Sequence, residues 1–275
     1  MSMTKIKIPK RPREWVPSAF LLIHTPNISC TIRYTPMQHR RNPDARYFSH
    51  VKIFGNSAIE PVWETKSGPL PLQSNFALES GAIAADLGID KLFHYGEVLN
   101  SSPDFNPPDP NVSMASHLHY RSTDGSFYGG VSSFTIFGAP RRIERGAYHY
   151  EAFPSMRVDE EKYFSVYIIN PFVRPAGFWV QIVTKDGEKI ESERCVVRGK
   201  GVASWSSKGL EIPRDKNPLG VIVRSETKTT SVFTTSTRDG KMIGLDHGHP
   251  FLLQVLNHVR PVTVAAGGGG VLREA

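Results

Sequence analysis

Two short histidine patterns carry the clearest chemistry in this chain: His117-Leu118-His119, and Asp246-His247-Gly248-His249. On a β-strand residues i and i+2 project from one face, so a His-x-His unit offers two imidazoles to one divalent transition metal. Two units plus Asp246 would complete a coordination shell, with the carboxylate as a ligand or as the group that orients an imidazole. Gly248 permits a tight turn that gathers Asp246, His247 and His249, which makes the second segment the first place to look. A metal-dependent lyase, isomerase or hydrolase would use these five residues. Against it, a chain with ten histidines produces such pairs by chance, as solvent-facing or hydrogen-bonded side chains.

Other chemistries find less support. In cupin-like sandwiches a glutamate follows the His-x-His strand, whereas here Thr123-Asp124-Gly125 reads as a turn. No Gly-x-Ser-x-Gly elbow is present, and Cys30 and Cys195 sit in alternating strand patterns that predict buried thiols. Gly267–Gly270 lacks the Lys-Ser/Thr of a phosphate loop. The carboxylates Asp159, Glu160, Glu161, Glu191 and Glu193 read as solvated faces rather than as an acid/base pair in a cleft. Trp15, Trp63, Trp179 and Trp205 are spread along the chain and suit core or partner contacts. A net charge of +7 admits a nucleic-acid or acidic-surface partner for the arm 1–14. The clusters Lys5–Arg13, Arg40–Arg41 and Arg141–Arg145 form no repeated stripe with interleaved aromatics, which argues against nucleic acid.

The elements that would position these residues are short. With 39% hydrophobic and 21% charged residues the chain is globular, and its 23 Gly and 21 Pro cut it into brief segments. Strands are predicted at 20–24, 28–34, 48–54, 117–121 and 128–137, then at 163–170, 177–184, 194–197, 202–206, 220–224 and 231–235. The stretch Ser80–Lys91 is the best helical segment, with Gly88 placed to end it. Residues 100–111 carry four prolines and read as a loop. At 275 residues, the pattern predicts an all-β chain of two tandem antiparallel β-sandwich, jelly-roll-like units, 15–142 and 160–262, with little helix. A basic arm, 1–14, precedes them and a flexible tail, 265–275, follows. Matching small-residue stretches (80–86 and 199–206) and Ser/Thr-rich hairpins (116–134 and 221–237) suggest that the units are copies of each other. The apolar run 19–23 is too short for an export signal, and no run reaches the ~20 residues of a membrane helix. Two cysteines make no disulfide framework and point to a reducing, cytoplasmic setting.

The segment Tyr163 to Arg238 resembles the β-sandwich domain of the sensory rhodopsin transducer family. The likeness rests on a strand ending at Asn170, the strand Ala176 to Ile182, Ile212-Pro213 with Pro218, the strand Gly220–Ser225, and Thr237-Arg238-Asp239. It implies a non-enzymatic, often oligomeric protein that binds a ligand or partner. The chain departs from that family in its length, its Pro-rich loop and its histidine content. The leading expectation is therefore a binding protein for a small polar ligand or a protein partner, assembled as a homo-oligomer. The metal enzyme is the alternative, and the nucleic-acid binder comes third.

Overall fold

Alternating or wholly apolar runs, punctuated by Gly, Pro and Asp-Gly, fold into twenty strands, one α-helix and one 3-10 turn among the described residues. The structure is a computed structural model and describes residues 18–36, 44, 46–71, 74, 76–101, 114–132, 134–135, 148–227, 229–247 and 249–250. The basic arm 1–14, Trp15, the clusters Arg40–Arg41 and Arg141–Arg145, residues 102–111 of the Pro-rich segment, Gly248 and the tail lie outside them. The chain is all-β, and its described residues form four antiparallel sheets.

Sheet A runs β10 (Phe134–Thr135), β1 (Ser18–His24), β7 (Leu92–Ser101), β3 (Arg46–Phe54), β4 (Trp63–Lys66), with β5 (Leu70–Pro71) also on β3. Sheet B runs β6 (Phe76–Glu79), β2 (Ile28–Pro36), β8 (Met114–Ser122), β9 (Tyr128–Ser132). Sheet C runs β20 (His249–Pro250), β11 (His149–Met156), β17 (Leu219–Ser225), β13 (Ala176–Val183), β14 (Lys189–Glu191), with β15 (Cys195–Val197) also on β13. Sheet D runs β16 (Gly201–Ser206), β12 (Lys162–Asn170), β18 (Thr230–Thr237), β19 (Met242–His247). Adding ten to every strand number in sheets A and B gives sheets C and D. The connectivity is thus duplicated, and β11, the counterpart of β1, lies ahead of residue 160.

The duplication reaches single hydrogen bonds. Between β1 and β2, Thr25 and Ile28 exchange backbone bonds of 2.8 and 3.2 Å; between β11 and β12, Asp159 and Lys162 do the same at 3.2 and 3.3 Å. The turn after β8 is Ser122-Thr123-Asp124-Gly125, and the turn after β18 is Thr237-Arg238-Asp239-Gly240. In each, the first hydroxyl donates to the Asp carboxylate, and the glycine takes positive φ, 73° and 92°. The second residue donates its N–H to the β1–β2 or β11–β12 turn, Thr123 to Asn27 (3.0 Å) and Arg238 to Glu161 (2.8 Å). The hairpin β8–β9 therefore matches β18–β19, about ten residues beyond the match expected from the Ser/Thr content.

Buried side chains of sheets A and B, among them Phe20, Leu22, Val51, Ile53, Cys30, Ile32, Leu118 and Tyr120, meet in one cluster with Ile83 and Ala84 of the helix α1 (Ser80–Leu87). Phe178, Val180, Ile182, Val221 and Val223 of sheet C meet Phe164, Val166, Ile168 and Phe233 of sheet D in a second. Each such side chain contributes about 1.5–3 kcal/mol on burial. Ile169, Val232 and Met242 of sheet D belong to the first cluster, so the outer face of sheet D packs against the first set of sheets. This explains β1, whose residues Ala19 to Ile23 are all 1% exposed or less. A strand covered on both faces is apolar throughout instead of alternating. At the rim of this junction Phe93 stacks on Tyr167, with ring centroids 6.0 Å apart, and Lys241 pairs with Asp124 at 3.0 Å.

Candidate functional site

The alternation of β2 and β8 sends Cys30, Ile32, Leu118 and Tyr120 inward and leaves Thr31, Arg33, His117, His119 and Arg121 on the outer face of sheet B. Across the strands Arg33 lies opposite His117, Thr31 opposite His119 and Ser29 opposite Arg121. Glu79 of β6 flanks Thr31, and Tyr128 of β9 flanks Arg121. The His117 and His119 rings are 6.4 Å apart. The Tyr128 hydroxyl is hydrogen-bonded to His119 Nδ1, while the tyrosine stays 70% exposed. Burial first, then the charges of Arg33 and His117, hold the His119 imidazole below its usual range. Thr31 donates to both Glu79 carboxylate oxygens (2.9 and 2.8 Å), and Arg121 donates to Ser29 (3.1 Å) with its guanidinium 3.9 Å from Glu79. Arg33 has no ion-pair partner among the described residues.

Asp246 and His247 are elsewhere, on β19 at the edge of sheet D. Asp246 pairs with Phe233 of the inner face and His247 with Val232 of the outer face; His247 Nδ1 lies 3.1 Å from Asp246 Oδ1. His249 is on β20, opposite Ala152 of sheet C. The two sides of Gly248 therefore join different sheets, and the histidine segments supply two donors at each place, His117 with His119 and Asp246 with His247. Among the described residues no group of three or more His, Cys, Asp and Glu side chains could hold a metal ion. Cys30 is buried as expected and burial pushes its thiol well up, but Cys195 is only half-buried at the short strand β15.

Three polar groups have no signal in the sequence, because long-range pairing makes them. The Lys200 ammonium sits on the Glu97 carboxylate, their side chains 15% and 12% exposed, and lies 5.5 and 5.4 Å from the centres of the Phe54 and Tyr95 rings. The Tyr95 hydroxyl donates to the same carboxylate (3.0 Å). Lys200 itself holds φ 46°, anchored by its N–H on the Phe172 carbonyl (2.7 Å), while Asn170 holds the Arg198 carbonyl (3.1 Å). These groups fasten sheet D to sheet A. Inside the second core, Glu151 lies 3.4 Å from His149 and beside Ser231, and burial raises its carboxyl above the usual range. Ser80, at the start of α1, lies 3.0 Å from His24 Nδ1, but it is fully buried and accepts the Cys30 N–H at 2.8 Å. That hydroxyl ties the helix to β2 and is closed to substrate.

Compared with known proteins, the chain matches no family model and no curated protein. No helix among the described residues is long and apolar enough to cross a membrane.

Proposed function

We propose that this is a non-enzymatic binding protein, two β-sandwich units in tandem, that presents the outer face of sheet B to a protein partner. One observation carries the reading: two faces with the same place in the duplicated topology have opposite character. The outer face of sheet D offers Tyr167, Ile169 and Val232 and is covered by the first unit. The outer face of sheet B offers Arg33, His117 and Arg121, all exposed, with an exposed tyrosine beside them. Tyr and Arg are the residues that anchor protein interfaces, and an open sheet face lacks the concavity that small-ligand sites use. The likeness to the sensory rhodopsin transducer family points the same way, toward binding.

Selection of phage-displayed peptides on the purified protein tests this. Selected peptides should shift the amide signals of β2 and β8, and Tyr128→Ala should weaken them by about tenfold. Peptides that bind elsewhere, or bind the Tyr128→Ala protein equally well, would refute it.

A further inference from the structure

We propose that the outer face of sheet B receives a carboxylate-bearing segment of the partner, held by Arg33, His117 and His119, with Tyr128 packed against its chain. This rests on the partner-binding reading of that face. The charge on the face is divided. At one end Arg121 is engaged with Ser29 and lies near Glu79, and in the middle row Glu79 is satisfied by the Thr31 hydroxyl, opposite His119. At the other end Arg33 and His117 face each other across β2 and β8, His119 is next along the strand, and none of them meets a carboxylate among the described residues. Guanidinium and imidazole N–H groups are hydrogen-bond donors, so this end lacks an acidic acceptor.

Geometry and charge narrow what supplies it. A free small anion on an open face would have no walls to exclude water and little to hold it. A nucleic acid calls for a broader basic surface than two arginines offset by Glu79. An acidic polypeptide needs only one charge-assisted contact, with an apolar anchor beside it. Tyr128 provides that anchor: its hydroxyl is tied to His119, so the ring is held in place before the partner arrives.

The test uses the whole chain and three short peptides, alternating glutamate and serine, glutamine and serine, or lysine and serine, followed by amide shifts and titration. The glutamate peptide should move the signals of Thr31, Arg33, His117 and His119 and bind at least about tenfold more tightly than the lysine peptide. Arg33→Gln should weaken it about tenfold, whereas Arg214→Gln, exposed on the 3-10 turn Arg214–Lys216 outside this face, should change it less than about twofold. Both side chains are exposed, so an unchanged melting temperature confirms that each variant is folded. If the glutamine peptide binds the same face as tightly, the acidic segment is wrong while the partner face stands. If no peptide moves these signals, both fail.

Discussion

The outer faces of sheets B and D occupy the same position in the duplicated topology and have opposite surroundings. Counted from the equivalent turns, Arg33 corresponds to Tyr167, His117 to Val232, His119 to Thr234 and Gly130 to Leu245. In sheet D this face packs on sheets A and B, with Val232 in their core cluster and Tyr167 and Leu245 packed against it; in sheet B it is turned outward. A few substitutions on one face thus decide whether a sheet becomes an internal layer or a surface. The polar version also prevents the junction from repeating through sheet B, as the polar outer faces of terminal repeats do in solenoids.

Four sets of substitutions would break or sharpen this comparison. The largest effect is expected at the junction: Lys200→Met leaves the Glu97 carboxylate buried and uncompensated, costing about 3–5 kcal/mol in denaturant unfolding. A Lys200→Met, Glu97→Gln double variant should recover much of the loss. Next, placing the sheet B residue in sheet D, Val232→His, should cost about 2–4 kcal/mol, because an imidazole enters a fully buried apolar site. The reverse exchange, His117→Val, should stay within about 0.5 kcal/mol, since His117 is exposed. If both exchanges cost the same, the two faces are not distinguished by burial. Removal of the turn hydroxyl, Ser122→Ala or Thr237→Ala, should cost about 1 kcal/mol in each unit, and unequal losses would show that the turns are not energetic equivalents. The smallest effect concerns pH. The Glu151 carboxyl is raised in the folded state, so its contribution to stability is full below the unfolded carboxyl range and is lost as pH rises through its folded value. Glu151→Gln should therefore flatten the fall in melting temperature as pH rises above the unfolded carboxyl range, and its melting temperature should exceed the wild type's at the upper end.

Much of the strand pattern was legible because it is local. Phe178, Val180 and Ile182 alternate and are buried as their spacing predicts, and Gly88 ends the helix at φ 65°. Strand β7 was not legible. Leu92–Ser101 interleaves His94, Glu97 and Gly96 with apolar residues, although it is central to sheet A, because Glu97 is paired with Lys200 and Gly96 makes room for the Phe20 ring. Strand β11 was hidden by Pro154 in its sequence and by a register shift between Phe153 and Met156. Of the histidine pattern, the shared face of His117 and His119 follows from strand period. The separation of His247 from His249 does not, because a crossover between sheets has no local signature.

By itself the sequence determined the strand periods, the turn chemistry of Asp124-Gly125 and Asp239-Gly240, and the existence of the histidine pairs, all of which depend on neighbours within a few residues. Tertiary structure alone decided that the two sets of sheets repeat one connectivity, that Lys200 meets Glu97, and that the face bearing Val232 is covered while the face bearing His117 is not. Those outcomes depend on which sheet packs on which, and that is set by the summed burial of residues more than a hundred positions apart.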